Sequence, residues 1–349
     1  MRSICAVWVQ KITICNPWDM SISSFFNTYA GMYVTQSFCH AVIAALITDR
    51  ALKAWKINDP RIRQRFWLIV VLFPIISFPL YQLVNPERGS ALFRLAALFD
   101  SNRWLTFKIW DVVPIGILFL IPLVLSALIF LFQEMLPILG HTLEAHNVEN
   151  DVTPYDAGPF LERASKTLGI RKPEVFLIDD DESILFSTTG RNPAIYLSGE
   201  LTRTLDSGQF EAALAHEVAH IARSRRPMLI AIFIMRVIMF FNPIVLVKFR
   251  RIIKDEEKIC DDVAVSLTGN PHSLAAALKT FYHKSDTPDG QQMNKHAPLQ
   301  GSLEEYSHNL LLESRINRLE GGVPKDAGPW KLPFSLALAV TGIVNYFIV

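Results

Sequence analysis

Four stretches of this chain run for about twenty residues with almost no charge. An apolar helix of that length is what crosses the roughly 30 Å hydrocarbon core of a bilayer. Residues 29–48 are uncharged if His40 is neutral, 66–84 and 332–349 carry no charge, and 112–136 carry only Glu134. In lipid such a stretch must satisfy its own backbone, so each is expected to be helical, with its prolines tolerated by neighbouring helices. Trp18, Trp55, Trp67, Trp110 and Trp330 flank these stretches, as aromatic anchors at a membrane interface do. Over the whole chain 50% of residues are hydrophobic and 19% charged, against about 25% charged in ordinary globular domains. A mixed protein follows, with membrane helices beside a polar domain.

The loop between the first two stretches, 49–65, holds Arg50, Lys53, Lys56, Arg61, Arg63 and Arg65, whereas the N-terminal tail holds only Arg2 and Lys11. By the positive-inside rule this loop is cytoplasmic. The polar region after the third stretch then also faces the cytoplasm. Lys11 interrupts the N-terminal apolar run, which makes a poor signal peptide. A net charge of +1 without a dense basic run points away from nucleic acid. Cys5, Cys15, Cys39 and Cys260 form no C-x-x-C pair and read as free thiols.

Within the polar region the sequence His216-Glu217-Val218-Ala219-His220 stands in a stretch, 206–226, that reads as a helix. Asp206 and Gln209 have capping-box spacing, and Phe210, Leu214, Val218 and Ile221 form an apolar stripe. His216 and His220 are one turn apart and can clamp one metal ion, with Glu217 beside them as the base for a metal-bound water. Imidazole and carboxylate ligands suit one zinc ion with an open fourth position. The alternative is a surface helix with solvated histidines.

A carboxylate from a second helix, about 250–267, would complete the site. Glu257 and Asp261 share a face there, Glu257 as third ligand and Asp261 holding a zinc-bound histidine through its other ring nitrogen. Glu256, on an adjacent face with Cys260 one turn on, competes for the ligand role. The intervening residues 227–249 are apolar enough to suggest another span. A complete crossing would put Glu257 on the far side of the bilayer from His216. Arg236 near the middle and Asn242-Pro243 also argue against a crossing. This segment is expected to dip and turn back, or to lie along the membrane surface or against other helices.

The strings "AALAHEVAHIARSRRP", "FFNPIVLVKFRRIIKDEEKICDDVAV" and "TGNPHSLAAAL" resemble the membrane-bound metallopeptidases of family 56, the beta-lactam sensor and antirepressor type. The neighbouring family 48, of HtpX and CAAX prenyl protease type, shares the zinc signature. Its later Arg-Ile element is similar to Arg315-Ile316-Asn317-Arg318-Leu319 here. The resemblance implies a gluzincin, with His216, His220 and Glu257 as zinc ligands, Glu217 as general base and Asp261 as the supporting carboxylate. His308 and Arg315 are candidates for a transition-state or ion-pair role. In such a fold a peptide substrate pairs with an edge strand beside the metal, and Ile184, Leu185, Phe186, Ser187 and Thr188 are the candidate edge. The chain departs from relatives that place an acid shortly after the second histidine, where it has "RSRRP".

The expected fold is mainly α: multi-span membrane helices plus a cytoplasmic α+β zincin-like protease domain with a small sheet. Residues 1–136 form an N-terminal membrane region with three spans (29–48, 66–84, 112–136). Residues 137–331 form the protease domain, with 227–249 membrane-associated but not spanning, and 332–349 form a last span. The expected function is zinc-dependent hydrolysis of peptide bonds in a membrane-associated or cytoplasmic protein, at a bacterial inner membrane. The alternatives are a signalling protease that cleaves itself or a repressor, and a non-catalytic membrane scaffold. The partners implied are a protein or peptide substrate and the lipid bilayer.

Overall fold

The computed structural model describes residues 25–110, 113–136, 152–178, 185–188, 192–224, 227–285, 312–322 and 329–349. The described chain is mostly helical, with a small mixed sheet. Ile184 and His308 lie outside the described residues.

Three helices are long and apolar enough to cross a membrane: Tyr29–Ala54 (α1), Pro60–Val84 (α2) and Ile115–Gln133. The last consists of Ile115–Ile129 (α3) running into a π-helical turn, Phe130–Met135. Helix α2 starts at residue 60 because Asp59 caps it, accepting from the amides of Arg61 and Ile62, with Pro60 in the first turn. A fourth apolar helix, Lys331–Tyr346, has 16 residues, about 24 Å at the helical rise.

These helices are apolar outside and partly polar inside. Leu46, Leu83, Ile121, Leu125 and Phe132 are exposed, while Gln36, Ser37, His40, Thr48 and Ser77 are buried. Lipid solvates apolar side chains and leaves polar groups to find partners between helices. His40 Nδ1 accordingly meets Ser77 Oγ at 2.6 Å. Trp67, flanking its span in the sequence, is not an interfacial anchor. It is 2% exposed and its indole donates to Asp255 Oδ2 at 3.0 Å.

The polar region begins with strand β1 (Val152–Pro154), helix α4 (Pro159–Leu168) and strands β2 (Glu174–Ile178), β3 (Leu185–Thr188) and β4 (Ala194–Ser198). The sheet order is β1-β2-β4-β3, with β2 and β4 parallel and the other pairs antiparallel. Strand β3 pairs only with β4 among the described residues, so it is an edge, and it lies against the helix that carries His216.

Three longer helices follow: α5 (Ser207–Ser224), α6 (Pro227–Ile238) and α7 (Pro243–Thr268), then α8 (Pro271–Ser285). The reciprocal cap on α5 forms as its spacing requires. Gln209 N donates to Asp206 Oδ1 at 2.8 Å and Asp206 N to Gln209 Oε1 at 3.3 Å. The apolar face of α5, with Leu214, Val218 and Ile221, shares one buried core with Ile195 and Leu197 of β4 and Leu274 of α8. Helical residues 312–320 close this core with Leu312, Ile316 and Leu319.

Helices α6 and α7 form a hairpin whose tip lies deep in the helix bundle. Asn242 Nδ2 reaches the carbonyl of Ser37 in α1 at 3.4 Å, and Ser37 is roughly 25 Å from the C-terminal end of α1 by the helical rise. The tip's carbonyls and amides find partners within the turn and on α3. Arg236 donates to the carbonyls of Met239 and Phe240, Ser126 donates to Phe240 O, and Asn242 caps α7 at Ile244 and Val245. The Arg236 side chain is fully buried, with its guanidinium over the Phe130 ring. Arg236, which argued against a crossing, thus serves as a clasp for the turn.

Candidate metal centre

Helices α5 and α7 pack along one another and bring His216, His220 and Glu257 together, their ligand atoms within 4.8 Å of each other. The His216 and His220 Nε2 atoms are 3.0 Å apart. Glu257 Oε2 lies 3.5 Å from His216 Nε2, and Oε1 lies 3.5 Å from His220 Nε2. Two donors on one tetrahedral zinc ion are roughly 3.3 Å apart. The separations within this triangle match the spacing of donors on such an ion.

The surrounding groups fix the triangle. Asp261, 1% exposed, places Oδ1 3.1 Å from His216 Nδ1, out of line for a full hydrogen bond. Arg315 grips Asp261 with both arms of its fork, Nε to Oδ2 at 2.9 Å and Nη2 to Oδ1 at 2.7 Å. Its Nη1 also lies 3.1 Å from Glu257 Oε2, and Nη2 is 3.3 Å from His216 Nε2. Cys260 Sγ stands 3.6 Å from His220 Nδ1. Glu217 is half-buried on α5, next in sequence to His216.

Glu256 is committed elsewhere. Its carboxylate pairs with Arg223, whose Nη2 donates to Oε2 at 2.7 Å, and accepts from Gln64 Nε2 of α2 at 2.8 Å. Gln64 also donates to the Ile252 carbonyl at 3.2 Å. Arg223 and Gln64 were not singled out from sequence. The signal for Arg223 was present: an arginine one turn after His220 on a buried helix needs an acid, and Glu256 stands beside the ligand position. For Gln64 no local signal exists, since its partner is 192 residues away.

The charges follow from this packing. Burial works against charge on His216, yet the carboxylates of Asp261 and Glu257 outweigh it and raise its pKa to about 9. Burial alone would raise Asp261, but His216 and Arg315 hold it down at about 2. Burial likewise opposes ionisation of Glu257, but the two histidines keep it well below the usual carboxylate range. A raised His216 stabilises the metal-free protein fully below its ordinary pKa of 6.5, and that contribution is lost as pH rises through about 9. Metal requires the neutral imidazole, so its contribution grows over the same window. Thermal melts with chelator should therefore fall from pH 6.5 to 9, and melts with zinc should fall less or rise. Parallel slopes would mean that His216 does not meet the metal.

Among curated proteins no match was found for this chain. The family model described as BlaR1 peptidase M56 matches residues 39–278. That stretch runs from within α1 through the hairpin to α8, and includes His216, His220 and Glu257 but not Arg315. The match extends over more than half of the chain, and so the protein belongs to the M56 peptidases of the BlaR1 type.

Proposed function

We propose that this chain is a membrane-embedded zinc metalloendopeptidase whose site faces the cytoplasm. The observation that carries this reading is the His216–His220–Glu257 triangle with Glu217 beside it on α5. His216, His220 and Glu257 would hold the metal. Bound there, zinc would supply a Lewis acid and lower the pKa of its water toward neutrality. Glu217 takes the proton from the attacking water and returns it to the leaving amine. Asp261 sets the orientation of His216, and Arg315 pins Asp261 and offsets charge on Glu257. The edge position of β3 beside α5 supports Leu185–Thr188 as the strand against which an extended peptide pairs. Together these features support a zincin-like arrangement of ligand helices over a small sheet.

The cytoplasmic orientation rests on where the site meets the spans. Gln64 near the start of α2 touches Glu256, so the metal centre sits at the end of α2 that follows the basic 49–65 loop. The hairpin of α6 and α7 is a re-entrant element in this reading. The polar groups of its tip are met by protein partners, as hydrocarbon requires, and both arms return to the same end. A second reading, a regulated signalling protease, is favoured by the direct contact between span α2 and the residue before Glu257.

Two measurements test the proposal. Purified protein should carry one zinc per chain and cleave an unstructured peptide; bound zinc with no cleavage by the wild type would sink the peptidase reading. Cysteines placed at Lys254 and Arg163 in a chain lacking other reactive thiols should label from the same side of sealed vesicles. Labelling from opposite sides would overturn the re-entrant hairpin.

A further inference from the structure

We propose that a groove between α1 and the C-terminal helix Lys331–Tyr346 is a binding site for an anionic phospholipid. This rests on the membrane reading above. The groove is lined by Leu46, Ile47, Ala51 and Trp55 of α1 and its end, and by Leu336 and Val340 opposite, with Arg50 at its rim. Its volume is about 450 Å³, within the roughly 300–1,000 Å³ range in which proteins hold small ligands. The small side chains of Ala51, Ala54 and Ala337 create the space, and apart from Arg50 and Trp55 the rest of the lining is aliphatic. One acyl chain lies along such a surface.

The charges at the open end select the headgroup. Arg50 lines the groove and is exposed; Lys53, one turn on along the same helix, and Lys56, just beyond it, are also exposed but lie outside the lining. The acidic residues nearby in sequence are occupied. Asp49 holds Lys248 Nζ at 2.8 Å and Arg251 Nη1 at 3.2 Å, and Asp59 accepts from the amides that open α2. Among the described residues no carboxylate pairs with Arg50, Lys53 or Lys56. An acyl groove lined by one carboxylate-free cation, Arg50, with two further exposed lysines close by in sequence, fits a phosphate monoanion at the glycerol end of a lipid. Trp55, 46% exposed, stands at that end, where an indole meets the ester region. The site also abuts the metal helix, because Asp49, adjacent to Arg50, anchors Lys248 and Arg251 of α7.

The test uses the full chain, delipidated in detergent, with native mass spectrometry of retained dioleoyl phosphatidylglycerol against dioleoyl phosphatidylcholine. The wild type should retain phosphatidylglycerol preferentially. Arg50→Ala should cut that preference about fivefold, the effect of one basic residue near an anionic lipid surface, and Arg50→Lys should keep most of it. Ala54→Trp, which fills the groove without touching the charges, should lower retention of both lipids. Arg61→Ala, an exposed cation outside the groove, should change nothing. Equal losses from Arg50→Ala and Arg61→Ala would overturn the site in favour of a diffuse basic surface. Displacement of the lipid by equimolar glycerol phosphate would overturn the need for the groove. Flotation with phosphatidylcholine vesicles, with and without phosphatidylglycerol, separates the two levels: no flotation with either defeats the membrane reading, whereas flotation without phosphatidylglycerol preference defeats only this site.

Discussion

The Glu257→Ala protein is expected to purify without zinc, while Glu256→Ala keeps zinc in whatever fraction folds. The two acids are neighbours in sequence but stand in different environments. Glu257 closes the triangle with both histidines at 3.5 Å. On the proposed function its loss removes one of three protein ligands, and should weaken zinc by more than the about 10- to 100-fold typical of losing an outer partner, the role proposed for Asp261. Glu256 instead neutralises Arg223, and both side chains are more than nine-tenths buried. Removing one member of a buried ion pair strands the other charge and costs about 3–5 kcal/mol. The two substitutions should therefore separate cleanly, metal loss at 257 and a lower melting temperature at 256. Metal analysis and thermal melts on both proteins decide it, and zinc loss at Glu256→Ala with retention at Glu257→Ala would reverse the assignment.

Glu217→Gln is expected to retain zinc and fold normally yet lose nearly all peptide hydrolysis, by about 10²- to 10⁴-fold in kcat. Glutamine keeps the shape and polarity of the half-buried side chain, so neither the α5 cap nor the packing of Leu214 and Val218 is disturbed. What it removes is the ability to accept a proton from water. Substrate should still bind, which makes this variant a trap for a native partner in membranes. Cleavage by Glu217→Gln near the wild-type rate would mean that the base lies elsewhere. Zinc loss would mean that Glu217 itself holds the ion.

The features legible in the sequence were those with local periodicity or local chemistry. The α5 cap could be named because Asp206 and Gln209 stand three residues apart, and the E-x-x-x-D face of α7 because one helical turn carries it. The apolar helices announced themselves by length, although α1 continues to Ala54 and α2 begins at Pro60, past the uncharged cores into charged ends. Sequence left Glu256 and Glu257 as rivals because choosing between them depends on Arg223 and Gln64. Those partners are set by packing of α2 and α5 on α7, which no local pattern encodes. Trp67 misled for a similar reason: a tryptophan at a span end fits an anchor until Asp255 is found opposite its indole.

The buried tip of the α6–α7 hairpin has a consequence for how the protein is made. His216 and His220 precede the turn in the chain and Glu257 follows it, so the donors cannot meet until the later arm has come back. A nascent chain that threaded 227–249 straight through would leave its carboxylate on the far side of the bilayer and could not capture the ion. On the proposed function, metal capture would then act as a checkpoint on insertion, leaving any misthreaded copy inactive. Pulse-labelled chains should accordingly acquire zinc only after Lys254 becomes accessible on the side of His220.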